Sequence, residues 1–281
     1  MTEQLSILVP AFCMSLFLLC SHIYFGLHVL ARGIIFVDLA LAQTAALGNI
    51  VALTMGAEPD STLPVVMGLL FSFGAALFLS LVRLIPGKTT REVAIGSIYI
   101  TTMAIGLVLL SFSPHGSEEL KSMLNGNILW VTSHQIIQIG LISVIILVFH
   151  YLFRRQFHSL SFDTGEKNGR TFLMELLFFI SFAIIITTAV QIVGVLMVFA
   201  FLILPAFTAS LLVTTFKGRL ILGACMGLGI TITGGALSLW YDLPTGSTIV
   251  SLMGILPLTA GGWKIISYFH KKNMNGLINS G

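Results

Sequence analysis

Residues 172–190 read FLMELLFFISFAIIITTAV, and after Gln191 and Ile192 residues 193–214 read VGVLMVFAFLILPAFTASLLVT. Each run is about twenty residues, the length a helix needs to cross a hydrocarbon core about 30 Å thick. Only Glu175, near the start of the first run, is charged. The runs do not alternate in segments of about ten, so a porin-type barrel is excluded. Two successive membrane helices are predicted here.

Working outward, similar stretches cover Leu5 to Leu30, Gly33 to Met55, Leu63 to Leu84, Val93 to Phe112, Gln135 to Phe153, Leu220 to Trp240 and Thr248 to Phe269. With the opening pair, about nine spans are predicted. The first is too long for a signal-peptide core and has no Lys or Arg before it, so it reads as a retained helix. The composition agrees: 56% of the 281 residues are hydrophobic and 9% charged, against about 25% charged in a soluble domain. The expected fold is an all-α polytopic helical bundle of 8–9 transmembrane helices. Residues 1–281 read as a single transmembrane domain, with no insertion large enough for a second, soluble one.

Basic residues gather in alternate connections, at Arg32, at Arg83, Lys88 and Arg91, at Arg154, Arg155, Lys167 and Arg170, at Lys217 and Arg219, and at Lys264, Lys271 and Lys272. The positive-inside rule places these in the cytoplasm. The other connections carry Glu58 and Asp60, then His115, Glu118, Glu119 and a single Lys121, then Asp242, so the N-terminus is expected outside and the C-terminus inside. Carboxylates outside either attract cations or simply solvate a loop. The formal charge of +3, confined to loops, sets orientation and argues against a nucleic-acid partner. Cys13, Cys20 and Cys225 all lie within apolar runs, which does not suggest a disulfide framework. Residues 116–133, with Trp130, are too polar to span and too apolar to float, so an interfacial or re-entrant helix is expected, with Trp130 at headgroup level.

The sequence has no His-Glu-x-x-His and no Gly-x-Ser-x-Gly. Pro86-Gly87-Lys88-Thr89 ends like a phosphate-binding loop, but the position of that motif's first glycine is Val82, and a membrane helix precedes it where a strand should stand. No catalytic or nucleotide site is expected, so ATP-driven work would need another subunit.

Ionisable groups at membrane depth mark a pathway or a tight internal partner. His22, His28, Asp38 and Glu175 qualify. Asp38 either pairs with Arg32 or caps a helix, or else lines a permeation path. Gln43, Thr44 and Asn49 follow on the same span as interhelical hydrogen-bonding groups or as path residues. His22 and His28 diverge by about 120° on a helix and make no two-ligand face. Gly223 and Gly227 have the spacing that lets helices approach closely. Pro205 and Pro257 break backbone hydrogen bonds within spans, and Pro205 suggests either a kink or a helix break beside a gate.

Five segments together resemble a known family. They are Arg32-Gly33-Ile34-Ile35-Phe36; Glu92-Val93-Ala94-Ile95-Gly96 with Ala104 and Gly106; Gly126-Asn127-Ile128-Leu129-Trp130; Gln191 to Leu196 running on to Leu204-Pro205-Ala206 and Ala209; and Leu243-Pro244-Thr245-Gly246 with Ile249 and Val250. In this order they are similar to permease subunits of ATP-binding-cassette importers of zinc, manganese and iron. The resemblance implies a type II importer permease in the cell (inner or plasma) membrane. It also implies a homodimer with a second permease copy, two cytoplasmic ATPase subunits that hold the ATP, and an extracytoplasmic metal-binding protein. The chain itself would bind no cofactor and would pass Zn²⁺, Mn²⁺ or Fe²⁺. The family's Phe-Asp with a later glycine falls on Phe162, Asp163 and Gly169, within the longest inside loop, Arg154 to Arg170. A short helix is expected there, with Asp163 starting it and Gly169 ending it, to couple to the ATPase.

The sequence departs from the family at its second helix, which usually pairs an Asp with a His four residues later. Those positions are Leu39 and Gln43, and Asp38 is displaced by one. Asp38 and Gln43 are about 140° apart on a helix, and an amide is a weaker Zn²⁺ ligand than imidazole. The metal path is therefore expected to use Asp38, with Gln43 and His28 as candidate companions. A secondary transporter driven by an ion gradient is the alternative; it predicts internal inverted symmetry, and no repeat is evident.

Overall fold

The computed structural model describes residues 2–58, 61–82, 87–113, 116–126, 128–162 and 169–278. The elements are α1 (Thr2–Arg32), α2 (Val37–Thr54), α3 (Thr62–Val82), α4 (Lys88–Leu110), α5 (Gly116–Asn125), a 3₁₀ turn at Ile128–Trp130, α6 (Ser133–Leu152), α7 (Arg154–Phe162), α8 (Gly169–Leu212), α9 (Phe216–Tyr241) and α10 (Thr245–Ile278). Eight of these helices are long and apolar enough to cross a membrane.

As one straight rod, the 44 residues of α8 would run about 66 Å, twice the hydrocarbon thickness. They do not form one rod. Gly194 has φ 79° and ψ 162°, a region open in practice only to glycine. Phe182 stacks on Phe25, with ring centroids 4.9 Å apart, while the Leu202 carbonyl lies against Gly26, leaving no room for a Cβ there. Phe25 and Gly26 are neighbours in the chain, so Phe182 and Leu202 lie at one level, although a straight helix would hold them about 30 Å apart. α8 is therefore two antiparallel legs joined at Gly194, and the described residues make nine crossings. The helix continues through Pro205. The break expected at Pro205 falls instead at Gly194, because reversal needs a positive φ that only the glycine supplies.

Contacts between elements define the two ends of the bundle. Arg32, Ser161 and Glu175 meet at one end, and Phe216 lies near His28 there. At the other end, Gly126 abuts Val193 and Gly194, and Ser247 donates to Asn125 Oδ1 at 2.7 Å. The ends alternate along the chain as the positive-inside reading requires. The expected interfacial helix is α5 followed by the 3₁₀ turn, with Trp130 exposed. α6 then starts at a capping box: Thr132 Oγ1 accepts from the Gln135 amide, and Gln135 Oε1 accepts from the Thr132 amide.

α1 and the legs of α8 form the centre, with Phe25, Phe178, Phe182 and Phe201 fully buried. α9 packs against α1 through its glycines, Gly223 on Ile23 and Gly227 on Leu19, as their spacing predicts. α2 and α3 approach closely where Gly48 meets the Met67 carbonyl and Gly68. The outward faces of α4 and α10 expose Val93, Ile100, Val108, Leu258 and Ile265, an apolar surface suited to lipid rather than water.

Candidate translocation path and its cytoplasmic base

α2 carries the polar residues of interest. Asp38 sits in its first turn and is 1% exposed; no side chain reaches its carboxyl, whose polar neighbours are the backbone amides of Asp38 and Leu39 at the start of the helix. Gln43 is 3% exposed, and its Oε1 has no partner. Asp38 therefore does not pair with Arg32, whose guanidinium goes to Glu175, and the N-cap of α2 is Phe36, with no side-chain cap bond. Buried oxygens that lack a side-chain partner are costly, and an ionisable residue at membrane depth is by default a functional candidate.

The two residues face different neighbours. Asp38 shares a helix face with Ala45, seven residues on, and the Ala45 carbonyl lies at Gly68 of α3. Gln43 shares a face with Ile50, which meets Gly106 of α4. Two further buried hydroxyls also lack partners, Ser72 Oγ on α3 and Thr187 Oγ1 on the first leg of α8. The Thr187 methyl lies beside Gly68, and Gln191, one turn further out, donates to Asn49 Oδ1 at 3.4 Å. Ser72 is one turn inward of Gly68. Unsatisfied oxygens thus recur at several depths among α2, α3 and α8. Thr44, by contrast, donates to the Ala40 carbonyl of its own helix.

At the outer end, a cavity of about 460 Å³ opens over this region, lined by Asn49, Gln191, Ser122, Glu118 and Glu119 among others. Glu119 accepts from Ser113 at 3.0 Å. Among the described residues, no three His, Cys, Asp or Glu side chains converge to hold a metal ion.

His28 belongs elsewhere. Its Nδ1 lies 2.7 Å from Ser161 Oγ, and its ring neighbours are Tyr24, Phe162, Phe178 and Phe216. None of these is on α2, so the structure does not bring His28 to Asp38 or Gln43. Ser161 also accepts from Arg32 Nε at 2.8 Å, and Arg32 Nη1 donates to Glu175 Oε2 at 3.1 Å. The guanidinium stacks 3.7 Å over the Phe178 ring. Beside this cluster His150 bridges Tyr24 and Ser181, at 3.1 and 2.7 Å, and lies flat on Phe157 with centroids 4.0 Å apart.

A short helix, α7, lies in the loop Arg154 to Arg170, while the helix expected from Asp163 to Gly169 falls on residues 163–168, which lie outside the described residues. α7 ends at Phe162, and Gly169 begins α8 rather than ending a helix. Asp163 lies outside the described residues. α7 buries Phe157 and Ser161 and exposes Arg154, Arg155, His158 and Phe162. Sequence reading missed Ser161, His150, Ser72 and Thr187. For Ser161 a signal was present: Phe153, Phe157 and Ser161 recur every four residues, marking one helix face.

Residues 4–261 match the model of the ABC 3 transport family. Over 189 residues the chain is 30% identical to the chelated iron transport system membrane protein YfeC of Yersinia pestis, covering 66% of this chain and 64% of that one. It thus spans just under two thirds of that relative. Over 219 residues it is 30% identical to the manganese transport system membrane protein MntC of Listeria monocytogenes, covering 73% and 76% of the two chains. Its fold is similar to a chain of PsaBC from Streptococcus pneumoniae, with TM-score 0.70, 21% identity and 90% of each chain covered.

Proposed function

The chain belongs to the ABC 3 transport family, and from that premise we propose that it is the membrane permease of an ATP-driven importer of divalent transition metal ions. It crosses the membrane and carries no catalytic machinery of its own. Hydrolysis belongs to cytoplasmic ATPase subunits, a second permease copy completes the conduit, and an extracytoplasmic metal-binding protein delivers the cargo.

The observation that carries this reading is the buried Asp38 carboxyl with no side-chain partner among the described residues, sealed within a helix bundle whose other orphaned polar groups are mostly oxygens. Metal enters over Glu118 and Glu119, passes Thr187 and Ser72, and meets the carboxyl of Asp38, with Gln43 on the α4 side of the same helix. Few and weak ligands suit a site that must release what it binds. An oxygen-only set favours Mn²⁺ over Zn²⁺, which gains more from imidazole and thiolate. The relatives named for manganese and iron transport support the same choice of cargo. Phe162, Asp163 and Gly169 belong to the segment that engages the ATPase, and the exposed side of α7 is part of that contact. Gly194 and Pro205 lie on the helical hairpin beside the path, with Gly194 as its turn.

The test is reconstitution with candidate ATPase subunits in proteoliposomes. Metal-dependent ATP hydrolysis with uptake of Mn²⁺ is expected. Uptake driven by an ion gradient, with no ATPase present, would mean that the chain is a secondary transporter.

A further inference from the structure

Ser161 Oγ is used to its full capacity. It donates to the Phe157 carbonyl at 3.1 Å and accepts from Arg32 Nε at 2.8 Å, and His28 Nδ1 is 2.7 Å away. A hydroxyl offers one donor and two lone pairs, so His28 presents its Nδ1–H to the second lone pair. One side chain on α7 therefore holds two side chains on the last turns of α1. Arg32 in turn reaches Glu175 of α8 and lies on Phe178.

Two features make this cluster more than packing. First, the Arg32 and Glu175 side chains are 1% and 6% exposed. A buried ion pair is often matched or bettered in stability by apolar residues of like volume, and its best-attested use is to fix one of two arrangements. Second, Arg32 ends α1. After it Gly33 turns at φ 67°, the Ile34 amide bonds the Val29 carbonyl, and the Val37 amide bonds the Ile34 carbonyl. This tight turn leads straight into the first turn of α2, where Asp38 sits. On its other side α7 is seated by Phe157, fully buried against His150, so the helix shifts as a unit.

We propose that Arg32, gripped by Ser161 of α7 and Glu175 of α8, is the joint through which movement of α7 reaches the foot of α2. Resting on the importer reading above, this assigns Arg32, Ser161 and Glu175 as positioning residues for the transport step. The ATPase pushes α7, Ser161 carries Arg32 with it, and the α1–α2 turn re-aims Asp38.

The test uses the full complex of permease and ATPase in proteoliposomes, reading Mn²⁺ transported per ATP hydrolysed. Ser161→Ala leaves the ion pair in place but removes the grip, and is expected to lower that ratio about fivefold, the worth of roughly one hydrogen bond, while the ATPase stays bound. Ser161→Thr keeps the hydroxyl and restores the ratio. The double variant Arg32→Met with Glu175→Met is also expected to be uncoupled. A wild-type ratio in Ser161→Ala or in the double variant overturns the joint, and so does an equal defect in Ser161→Ala and Ser161→Thr. Should those variants fail to assemble, spin labels at the exposed positions His158 and Phe36 in the otherwise native complex decide. The joint requires their separation to hold between nucleotide-free and ATP-bound states while both move against a label at Ser97 on α4. A separation that changes as much as either label moves overturns it. Failure to bind any ATPase, by contrast, defeats the importer reading itself.

Discussion

The Arg32 guanidinium stands 3.1 Å from the Glu175 carboxylate, 143 positions along the chain, with both side chains almost wholly buried. Removing one partner strands the other charge in a medium that cannot solvate it. Glu175→Leu alone is therefore expected to destabilise the folded protein by about 3–5 kcal/mol, whereas Arg32→Met with Glu175→Met should lie near the parent. Thermal unfolding in detergent, followed by tryptophan fluorescence, checks this. A single variant as stable as the double would show that the pair is not held as described.

The crossings were legible in the sequence because lipid demands long apolar runs, and nothing else in a chain produces them so regularly. The hairpin in α8 was legible for the same reason, as two runs of crossing length around Gln191 and Ile192. Its turn lies at Gly194, within three residues of that boundary. Proline draws attention as a helix breaker, but Pro205 only removes one donor, while Gly194 provides a backbone conformation that reverses direction. The ion pair could not be read, because nothing local to Arg32 or Glu175 specifies the other; packing of α1 against α8 does. The sequence predicts a short helix in the loop Arg154 to Arg170, but the arginines beside it mask its buried face of Phe157 and Ser161. Asp38 was legible as an anomaly, but its lack of any side-chain partner needed coordinates.

Gly194 and Gly126 press their backbones together, and a Cβ on either would collide with the other's main chain. Gly194→Ala adds that clash to a φ of 79°, which an L side chain tolerates poorly. A loss of about 3 kcal/mol or more is expected, seen as a lowered midpoint of thermal unfolding and a reduced yield of monodisperse protein. Gly229→Ala is the matched control, since open space surrounds that glycine, and it should be close to neutral or slightly favourable. Equal behaviour of the two variants would argue against the hairpin turn.

Asp38→Asn keeps the shape of the side chain and removes the one ionisable group of α2. Because the carboxyl has no side-chain partner to lose and an amide oxygen can still accept from the backbone, stability should hold or rise, while metal uptake should fall by roughly tenfold or more, corresponding to ~1.4 kcal/mol or more of lost attraction. Asp38→Glu should recover part of the uptake. Initial rates of Mn²⁺ entry into proteoliposomes, alongside unfolding midpoints, separate the two effects. Normal uptake by Asp38→Asn would confine this residue to a structural part.

Gln43 stands where the resembling family carries an imidazole, and its Oε1 is buried and unsatisfied. Gln43→His places a borderline nitrogen donor in an otherwise oxygen-only set. Zn²⁺ gains most from imidazole among the candidate ions, so the ratio of Zn²⁺-stimulated to Mn²⁺-stimulated ATP hydrolysis should rise by about tenfold over the parent complex. The side chain faces α4, while Asp38 faces α3, so the new ligand cannot complete a tight pair with Asp38. Zn²⁺ should consequently be handled faster rather than trapped, and turnover should persist at saturating metal. An unchanged ratio would place Gln43 off the path, leaving its amide to hold α2 against α4.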